Sequence, residues 1–162
     1  MVTKIKTRSE IIDLAKRFRA DGKKIVTTNG CFDIIHPGHV ANLEFARSQG
    51  DVLIVGVNSD ASVRTGKGDK RPIVPERNRA LVLAGLGAVD YVFIFDEKSP
   101  IAWIPELRPH VHIKGAGSET SPAFAGEKAV VEKAGGEMRI APAVAGLSTT
   151  NIIEEVLKKY RE

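Results

Sequence analysis

Short apolar runs alternate along the chain with segments of helical periodicity, and this alternation constrains the fold more than any other feature. Continuous apolar runs, as opposed to strictly alternating ones, are typical of strands buried on both faces of a parallel sheet. Alternating strands and helices indicate repeated right-handed β-α-β units. We therefore expect an α/β, Rossmann-like, doubly wound domain with about five parallel strands. The predicted strands are residues 24–29, 51–57, 90–95, 111–114 and 137–141.

Helical spacing of apolar residues fills the segments between these strands. Ser9 is the expected N-cap of the first helix. Residues 64–76 hold two glycines, two prolines and four basic side chains. We expect this segment to be a mobile basic loop on the ligand side, with a simple solvated loop as the alternative. The predicted helices are residues 9–19, 38–48, 78–86, 100–107, 123–134 and 148–160.

Composition and charge exclude several classes of protein. The 162 residues are 43% hydrophobic and 27% charged, which is typical of a globular domain and not of a disordered chain. The single cysteine excludes a disulfide framework. No apolar run approaches the roughly 18 residues of a membrane span, so we expect a cytoplasmic protein with no membrane partner. The net charge of +4 permits an anionic ligand, but the few aromatic residues are not interleaved with basic ones as in nucleic-acid-binding proteins.

The segment between the first strand and the following helix carries the most informative residues. It reads TNGCFDIIHPGH over residues 28–39. Ligands of open α/β sheets bind beyond the carboxyl ends of the strands, often at a helix N-terminus. Gly30 lets the chain leave the strand closely, and Pro37-Gly38 suits a first helical turn. We therefore expect His36 and His39 to contact two oxygens of one phosphate.

A histidine pair also raises the question of a metal. The two histidines are three residues apart, whereas the helical zinc motif spaces them by four with a glutamate between them. No cysteine or carboxylate cluster accompanies them, so protein-bound zinc is disfavoured and the metal ligands remain unknown. Asp33 is expected either to pin the loop or to approach a metal-nucleotide complex. His110 and His112, in or beside a short strand, fit core histidines better than ligands.

Two motifs together resemble the signatures of a known family. Residues 29–33 (NGCFD) and 36–39 (HPGH) resemble the first signature of the H-x-G-H nucleotidyltransferase superfamily, and residues 147–150 (LSTT) resemble the second. From about Ser9 to the end, the chain is similar to the D-glycero-D-manno-heptose 1-phosphate adenylyltransferases. That branch also forms the C-terminal half of the bifunctional heptose kinase/adenylyltransferases. The segments that carry this similarity are 23–30, 57–60, 89–92, 111–115 and 148–153.

The resemblance implies an enzyme that transfers a nucleoside monophosphate to a sugar 1-phosphate and releases pyrophosphate. ATP is the expected donor, heptose 1-phosphate the expected acceptor, and Mg²⁺ is expected to enter on the phosphate oxygens of the nucleotide. The resemblance implies catalytic roles for His36, His39 and Arg79, with Arg79 near the β- and γ-phosphates. Lys114 completes the catalytic set: it ends a buried strand, where a lysine is costly unless it meets an anion or water, so we expect it to neutralise a nucleotide or sugar phosphate. The resemblance also implies nucleotide binding by Asn29, Gly30, Cys31, Phe32, Asp33, Gly38, Gly115, Ser148, Thr149 and Thr150.

Further expectations concern the loop, the base and the domain. The basic loop is expected to close over the triphosphate, and backbone groups near Gly115 and residues 144–147 are expected to contact the base. One nucleotidyltransferase domain is expected over residues 1–162, and relatives imply a homodimer with small-molecule substrates. The expected parts of the domain are an N-terminal helix (8–20), a core (23–146) and a C-terminal helix (148–160), and the basic residues of the loop are Arg64, Lys67, Lys70 and Arg71.

Two departures from the branch pattern leave the substrates open. After Lys114-Gly115 the branch continues with glycine, aspartate and an aromatic residue, whereas this chain has Ala116-Gly117-Ser118. Residues 143–146 also lack the charged residues often found there. The alternatives are a cytidylyltransferase for glycerol 3-phosphate or a similar small phosphate, a flavin-nucleotide-forming relative, and a non-catalytic nucleotide-binding module.

Overall fold

A single parallel sheet organises the fold in a computed structural model that describes residues 2–144 and 148–160. Its five strands lie in the order β3-β2-β1-β4-β5, and every neighbouring pair is parallel. The expected doubly wound α/β architecture is thereby confirmed. The strands are β1 (Ile25–Gly30), β2 (Val52–Asn58), β3 (Tyr91–Phe95), β4 (Val111–Lys114) and β5 (Glu137–Ile140).

Helices flank both faces of this sheet. Within the described residues none is long and apolar enough to cross a membrane. Short 3₁₀ turns occur at residues 2–4, 100–102 and 118–120. The α-helices are α1 (Arg8–Ala20), α2 (Pro37–Ser48), α3 (Asp60–Lys67), α4 (Glu76–Gly85), α5 (Ile104–Leu107), α6 (Phe124–Lys133) and α7 (Thr149–Tyr160).

Two sequence predictions are wrong in local detail. The N-cap of α1 is Thr7 and not Ser9, because Thr7 and Glu10 cap each other's backbone amides in a capping box. Residues 64–67, predicted as loop, form the last turn of α3, whose N-cap Ser59 accepts a hydrogen bond from the Ser62 amide. The sequence pattern did not predict this eight-residue helix, because a glycine and three charged residues leave too few apolar residues to show helical spacing.

The core consists of one apolar layer on each side of the sheet. On one side α2 and α4 bury Leu43, Ala80 and Leu83 against the central strands. On the other side α1, α5 and α6 pack around Trp103. Trp103 contacts the rings of Phe93 and Phe95 edge-on, at centroid distances of 5.2 and 5.7 Å. Strands covered on both faces explain why their sequences are apolar throughout.

The order of the strands places a cleft between β1 and β4. From β1 the chain winds outward through β2 and β3, and then returns to β4 on the other side of β1. This reversal is the topological switch point, where open α/β sheets bind ligands. Asn29 and Gly30 end β1 at this edge, and Lys114 ends β4 beside them.

Acid is expected to destabilise the fold through His112. This side chain is fully buried on β4 and shares a 2.8 Å hydrogen bond with the Thr27 hydroxyl. Burial, aided by the nearby charge of Lys114, lowers the pKa of His112 to about 3. The unfolded chain therefore protonates this histidine below about pH 6.5, whereas the folded chain does so only near pH 3. Proton binding thus favours the unfolded chain, and stability falls as pH falls through that range.

We expect His112 alone to cost about 1.5 kcal/mol between pH 6.5 and pH 5. Urea unfolding at a series of pH values measures this slope. The variant His112→Asn, which keeps a polar partner for Thr27, should show a shallower slope. Equal slopes for the two proteins would contradict the assignment.

Candidate active site

A stacked pair of histidines marks the N-terminus of α2. His36 is the N-cap residue in extended conformation, and Pro37 begins the helix. The rings of His36 and His39 stack with centroids 3.8 Å apart and planes 28° apart. The centroid of the Phe32 ring lies 5.3 Å from the centroid of the His39 ring. The pair is held at a helix end whose free N–H groups favour negative charge.

A strained turn connects β1 to this helix. Phe32 has a φ of +49°, in the left-handed region that is unfavourable for residues with a side chain. Its ring packs over Gly30, where an added Cβ would lie 3.2 Å from a ring carbon. Glycine at position 30 therefore lets the phenylalanine ring fold back against the end of the strand. The turn brings the backbone of residues 30–31 to the cleft beside the histidines.

Five buried polar atoms at this site have no hydrogen-bond partner within residues 2–144 and 148–160. Buried polar groups in native proteins are nearly always paired, so such a concentration indicates a place prepared for a ligand. The unpartnered ring nitrogens belong to the two stacked histidines, and further atoms lie around them. The five atoms are Asn29 Oδ1, His36 Nδ1, His39 Nδ1, Asn42 Oδ1 and Arg71 Nη2.

Burial in the free protein favours the neutral form of both histidines. Burial, together with the neighbouring charges of His36 and Lys67, lowers the pKa of His39 to about 4. Burial also lowers the pKa of His36 below its ordinary value. A bound anion would oppose both effects, because it favours the imidazolium form. The pair therefore becomes a stronger donor when a negatively charged ligand arrives.

Three cavities that share lining residues lie along the carboxyl edge of the sheet. The central one, of about 200 Å³, is lined by residues of the 29–33 turn together with His39, Lys67 and Thr149. A second, of about 240 Å³, shares His39 and Gly115 with it and continues to residues 141–144. A third, of about 440 Å³, shares residues 29–31 and Lys67 with the central cavity. Two ligands could therefore lie end to end along this edge of the sheet and pass beside His39.

Asp33 is bound by the protein itself. Its buried carboxylate accepts hydrogen bonds of 2.8 Å from the amides of Ile73 and Val74 and pairs with Arg71 at 2.5 Å. Burial by itself raises the pKa of Asp33, but these hydrogen bonds outweigh burial and hold the pKa below its ordinary value. The structure shows the first of the two roles expected for Asp33: its carboxylate pins the loop by holding residues 71–74.

Removing this carboxylate is expected to release the loop. In an Asp33→Ala variant the two amides and the Arg71 guanidinium lose their common acceptor, which is costly for buried groups. We expect trypsin to cleave after Lys70 at least several times faster than in the unchanged protein, as measured by mass spectrometry of timed digests. Asp69→Ala removes an exposed carboxylate from the same loop and should leave the rate unchanged.

Two predicted catalytic residues occupy unexpected positions. Arg79 is 1% exposed and lines none of the three cavities, and its guanidinium is engaged by protein groups on all sides. Lys114 does line the third cavity, but its ammonium group pairs with the buried Glu127 at 2.7 Å. The anion that Lys114 is expected to meet is thus the Glu127 carboxylate of α6. Arg79 is buried beneath the cavities and does not line them.

The remaining predicted residues divide into two groups. Thr149 lines the central cavity, whereas Ser148 accepts a hydrogen bond from the Asn151 amide at the start of α7. Thr150 and Lys70 are exposed and line no cavity described above. Residues 145–147, part of the segment expected to contact the base, lie outside the described residues. The other predicted site residues that line at least one of these cavities are Asn29, Gly30, Cys31, Phe32, Asp33, His36, Gly38, His39, Lys114 and Gly115.

Sequence reasoning missed several residues of the site. Asn42 lines two of the cavities, and its position one helical turn after His39 was the available signal. Lys98 and Ser62 line the third cavity, while Glu127 reaches it only through Lys114. Their positions on separate elements offer no local motif, so only the folded chain brings them together.

Sequence comparisons relate the chain to known proteins. The sequence model of a family described as "Cytidylyltransferase-like" matches residues 27–155. The chain is 49% identical over 158 residues to "Bifunctional protein HldE" of Pelobacter propionicus and 50% identical over 159 residues to that of Geobacter metallireducens. Each alignment covers 98% of this chain and 32% of the relative. The chain therefore spans about a third of the length of these curated relatives.

Two solved structures are similar in fold. A lipopolysaccharide core biosynthesis protein from Thermoplasma volcanium aligns with a TM-score of 0.62 and 28% identity, covering 74% of this chain and 94% of that chain. Pantothenate synthetase from Thermus thermophilus aligns with a TM-score of 0.64 over 96% of this chain and 70% of that chain. At 18% identity the second similarity shows the fold alone.

Proposed function

Because this chain belongs to the cytidylyltransferase-like family, we propose that it transfers a nucleoside monophosphate to a phosphorylated small molecule. The proposed donor is ATP and the proposed acceptor is D-glycero-D-manno-heptose 1-phosphate, which would give a nucleotide-activated heptose and pyrophosphate. The near-full-length similarity to the HldE proteins supports this choice over a glycerol 3-phosphate acceptor.

The concentration of unpartnered buried atoms around the stacked histidines is the observation that carries the proposal. Two ring nitrogens, two amide oxygens and one guanidinium nitrogen converge at a helix N-terminus. The nitrogen donors suit the oxygens of a phosphate, and the helix end adds its own positive field. No nucleophilic serine or cysteine with a base beside it is needed for this chemistry, and the raised pKa of Cys31, a result of burial, opposes such a role.

The proposed reaction is an in-line displacement at the α-phosphorus of the nucleotide. An oxygen of the acceptor phosphate forms a bond to that phosphorus, and the bond from the phosphorus to the bridging oxygen of the β-phosphate breaks. Pyrophosphate leaves with the electron pair. The attacking oxygen carries no proton at neutral pH, so no general base is required, and catalysis consists of positioning and charge stabilisation.

Each cavity has a role in this proposal. The cavity that contains Gly38 and residues 141–144 would hold the nucleoside, and the central cavity would hold the triphosphate beside His39, Lys67 and Thr149. The third cavity would hold the acceptor. The acceptor and the α-phosphate would meet at residues 29–31, which line both the central and the third cavity.

The described residues do not form a dedicated metal centre. No group of three or more histidine, cysteine, aspartate or glutamate side chains in residues 2–144 and 148–160 could hold an ion. Asp33, the acidic residue nearest the histidines in sequence, is fully engaged by the 71–74 loop. We therefore propose that Mg²⁺ enters bound to the triphosphate oxygens, which is usual for this ion, without a protein cage.

Pyrophosphate release tests the proposal directly. The purified protein is assayed with ATP, CTP, GTP and UTP, each against heptose 1-phosphate, glycerol 3-phosphate and flavin mononucleotide. Release with ATP and heptose 1-phosphate is the expected result. Release only with CTP and glycerol 3-phosphate would replace it by the cytidylyltransferase alternative. Nucleotide binding without release from any pair would indicate a non-catalytic binding module.

A homodimer through α7 is also proposed. This helix exposes Val156, Leu157 and Tyr160, the last 82% exposed. Its acidic pair 154–155 precedes its basic pair 158–159, so two antiparallel copies would match charges while burying the apolar face. We expect a dimer in light scattering and a monomer for Leu157→Asp, whereas Lys133→Gln, an exposed position on α6, should remain dimeric. A monomeric unchanged protein would contradict this assignment.

A further inference from the structure

Lys98 lines the third cavity and has no counter-ion in the described part of the chain. It follows β3 and faces a space that Lys67 and Lys114 also line. The structure places the Lys114 ammonium against Glu127, 2.7 Å away, whereas no ion pair of Lys67 or Lys98 is found among residues 2–144 and 148–160. The cavity therefore contains two lysine charges that the protein does not balance.

Hydrogen bonds on both sides fix the backbone that carries Lys98. The carbonyl of Glu97 accepts hydrogen bonds from the Asn58 amide group at 3.2 Å and from the Ser62 hydroxyl at 2.9 Å. On the other side, the Ser99 hydroxyl donates to Glu127 at 3.1 Å. Lys98 is itself exposed, but its neighbours tie the backbone that carries it to β2, α3 and α6.

The charge in the cavity matches one phosphate monoester. Of the three lysine charges, Glu127 neutralises one and two remain. A phosphate monoester carries about −1.5 to −2 near pH 7. The Ser118 hydroxyl in the same wall suits a hydroxyl group of a neutral remainder.

We infer that Lys98, together with Lys67, binds the phosphate of the acceptor. Lys67 lines both the central and the third cavity, which places it where the donor and acceptor phosphates meet. Lys98 lines only the third cavity and acts on the acceptor alone. This inference rests on the proposed nucleotidyl transfer and adds a residue to its acceptor site.

Kinetics of a Lys98→Gln variant test the inference. With ATP saturating, the KM for heptose 1-phosphate is expected to rise about tenfold or more, because a charge-assisted hydrogen bond to phosphate is lost. The KM for ATP is expected to stay within about twofold, since Lys98 lies outside the other two cavities. Lys98→Arg should restore most of the affinity for the acceptor. Lys133→Gln removes an exposed lysine from α6 and should behave as the unchanged protein.

Binding of inorganic phosphate separates this inference from the proposed function. With the other two cavities filled by a non-hydrolysable ATP analogue, phosphate should bind the unchanged protein and the Lys133→Gln variant alike, and about tenfold more weakly to Lys98→Gln. Equal phosphate affinity in all three proteins would overturn the inference, as would a KM effect confined to ATP. If no pair of substrates releases pyrophosphate, the proposed function fails, and the phosphate titration still decides the role of Lys98.

Discussion

Replacing His39 by alanine is expected to lower kcat for pyrophosphate release about a hundredfold or more. The ring lines both the central cavity and the one that continues to residues 141–144, and its Nδ1 has no partner in the described part of the free protein. A donor held ready for developing charge contributes about 3 kcal/mol to transition-state stabilisation in comparable sites. His36→Ala should have an effect of similar size. Steady-state assays with saturating substrates measure both.

A second histidine provides the control for this experiment. His110 lies at the opposite end of β4, where its Nδ1 accepts a hydrogen bond from the Ile25 amide at 2.9 Å. His110→Asn, which keeps an acceptor for that amide, should retain kcat within about threefold. Turnover that is unchanged in both His36→Ala and His39→Ala would remove the histidines from the mechanism.

The pH dependence of nucleotide binding follows from the same ring. The pKa of His39 is about 4 in the free protein, and the negative charge of a bound triphosphate raises it. The complex therefore binds more protons than the free protein below neutral pH, so affinity rises as pH falls toward 5. Calorimetry in two buffers of different ionisation enthalpy should detect this proton uptake. The difference between the unchanged protein and His39→Ala isolates the contribution of this ring.

The sheet and the first motif could be predicted because their signals are local. Each strand is a continuous apolar run, and the turn after β1 concentrates glycine, proline and histidine within residues 28–39. Helix ends were less predictable, as the displaced N-cap of α1 shows, because Ser9 and Thr7 are both good capping residues. Only the partner Glu10, at the third position after Thr7, decides between them.

Long-range partners limited the prediction of the site. The role of Asp33 depends on amides 40 and 41 residues away, and that of Lys114 depends on Glu127 of α6. A lysine at the end of a buried strand needs an anion, but the sequence does not say whether a ligand or the protein supplies it. Lys98 belongs to no sequence motif. It lies at the cavity because its neighbours Glu97 and Ser99 form hydrogen bonds with three other elements.

Replacing Arg79 by methionine is expected to cost about 3 kcal/mol of folding free energy and to abolish most of the activity. The guanidinium donates to the carbonyls of Val74 at 2.8 Å and Cys31 at 2.5 Å, and it pairs with Asp60 at 2.8 Å. Breaking a buried pair leaves a carboxylate and two carbonyls without their donor, which is among the larger single-residue costs. Because Cys31 belongs to the turn after β1 and Val74 to the loop held by Asp33, Arg79 joins two segments that shape the central cavity.

Arg77→Met is the matched control, since Arg77 lies on the same helix and is exposed. Urea unfolding should separate the two variants by about 3 kcal/mol, and Arg79→Lys should recover only part of the loss, because one ammonium cannot reach three acceptors on different sides. The sequence-based alternative, in which Arg79 contacts the β- and γ-phosphates, makes the opposite prediction. It requires Arg79→Met to keep the stability of Arg77→Met while nucleotide binding weakens. Unfolding and nucleotide titration on the same two variants therefore decide whether this arginine supports the site or belongs to it.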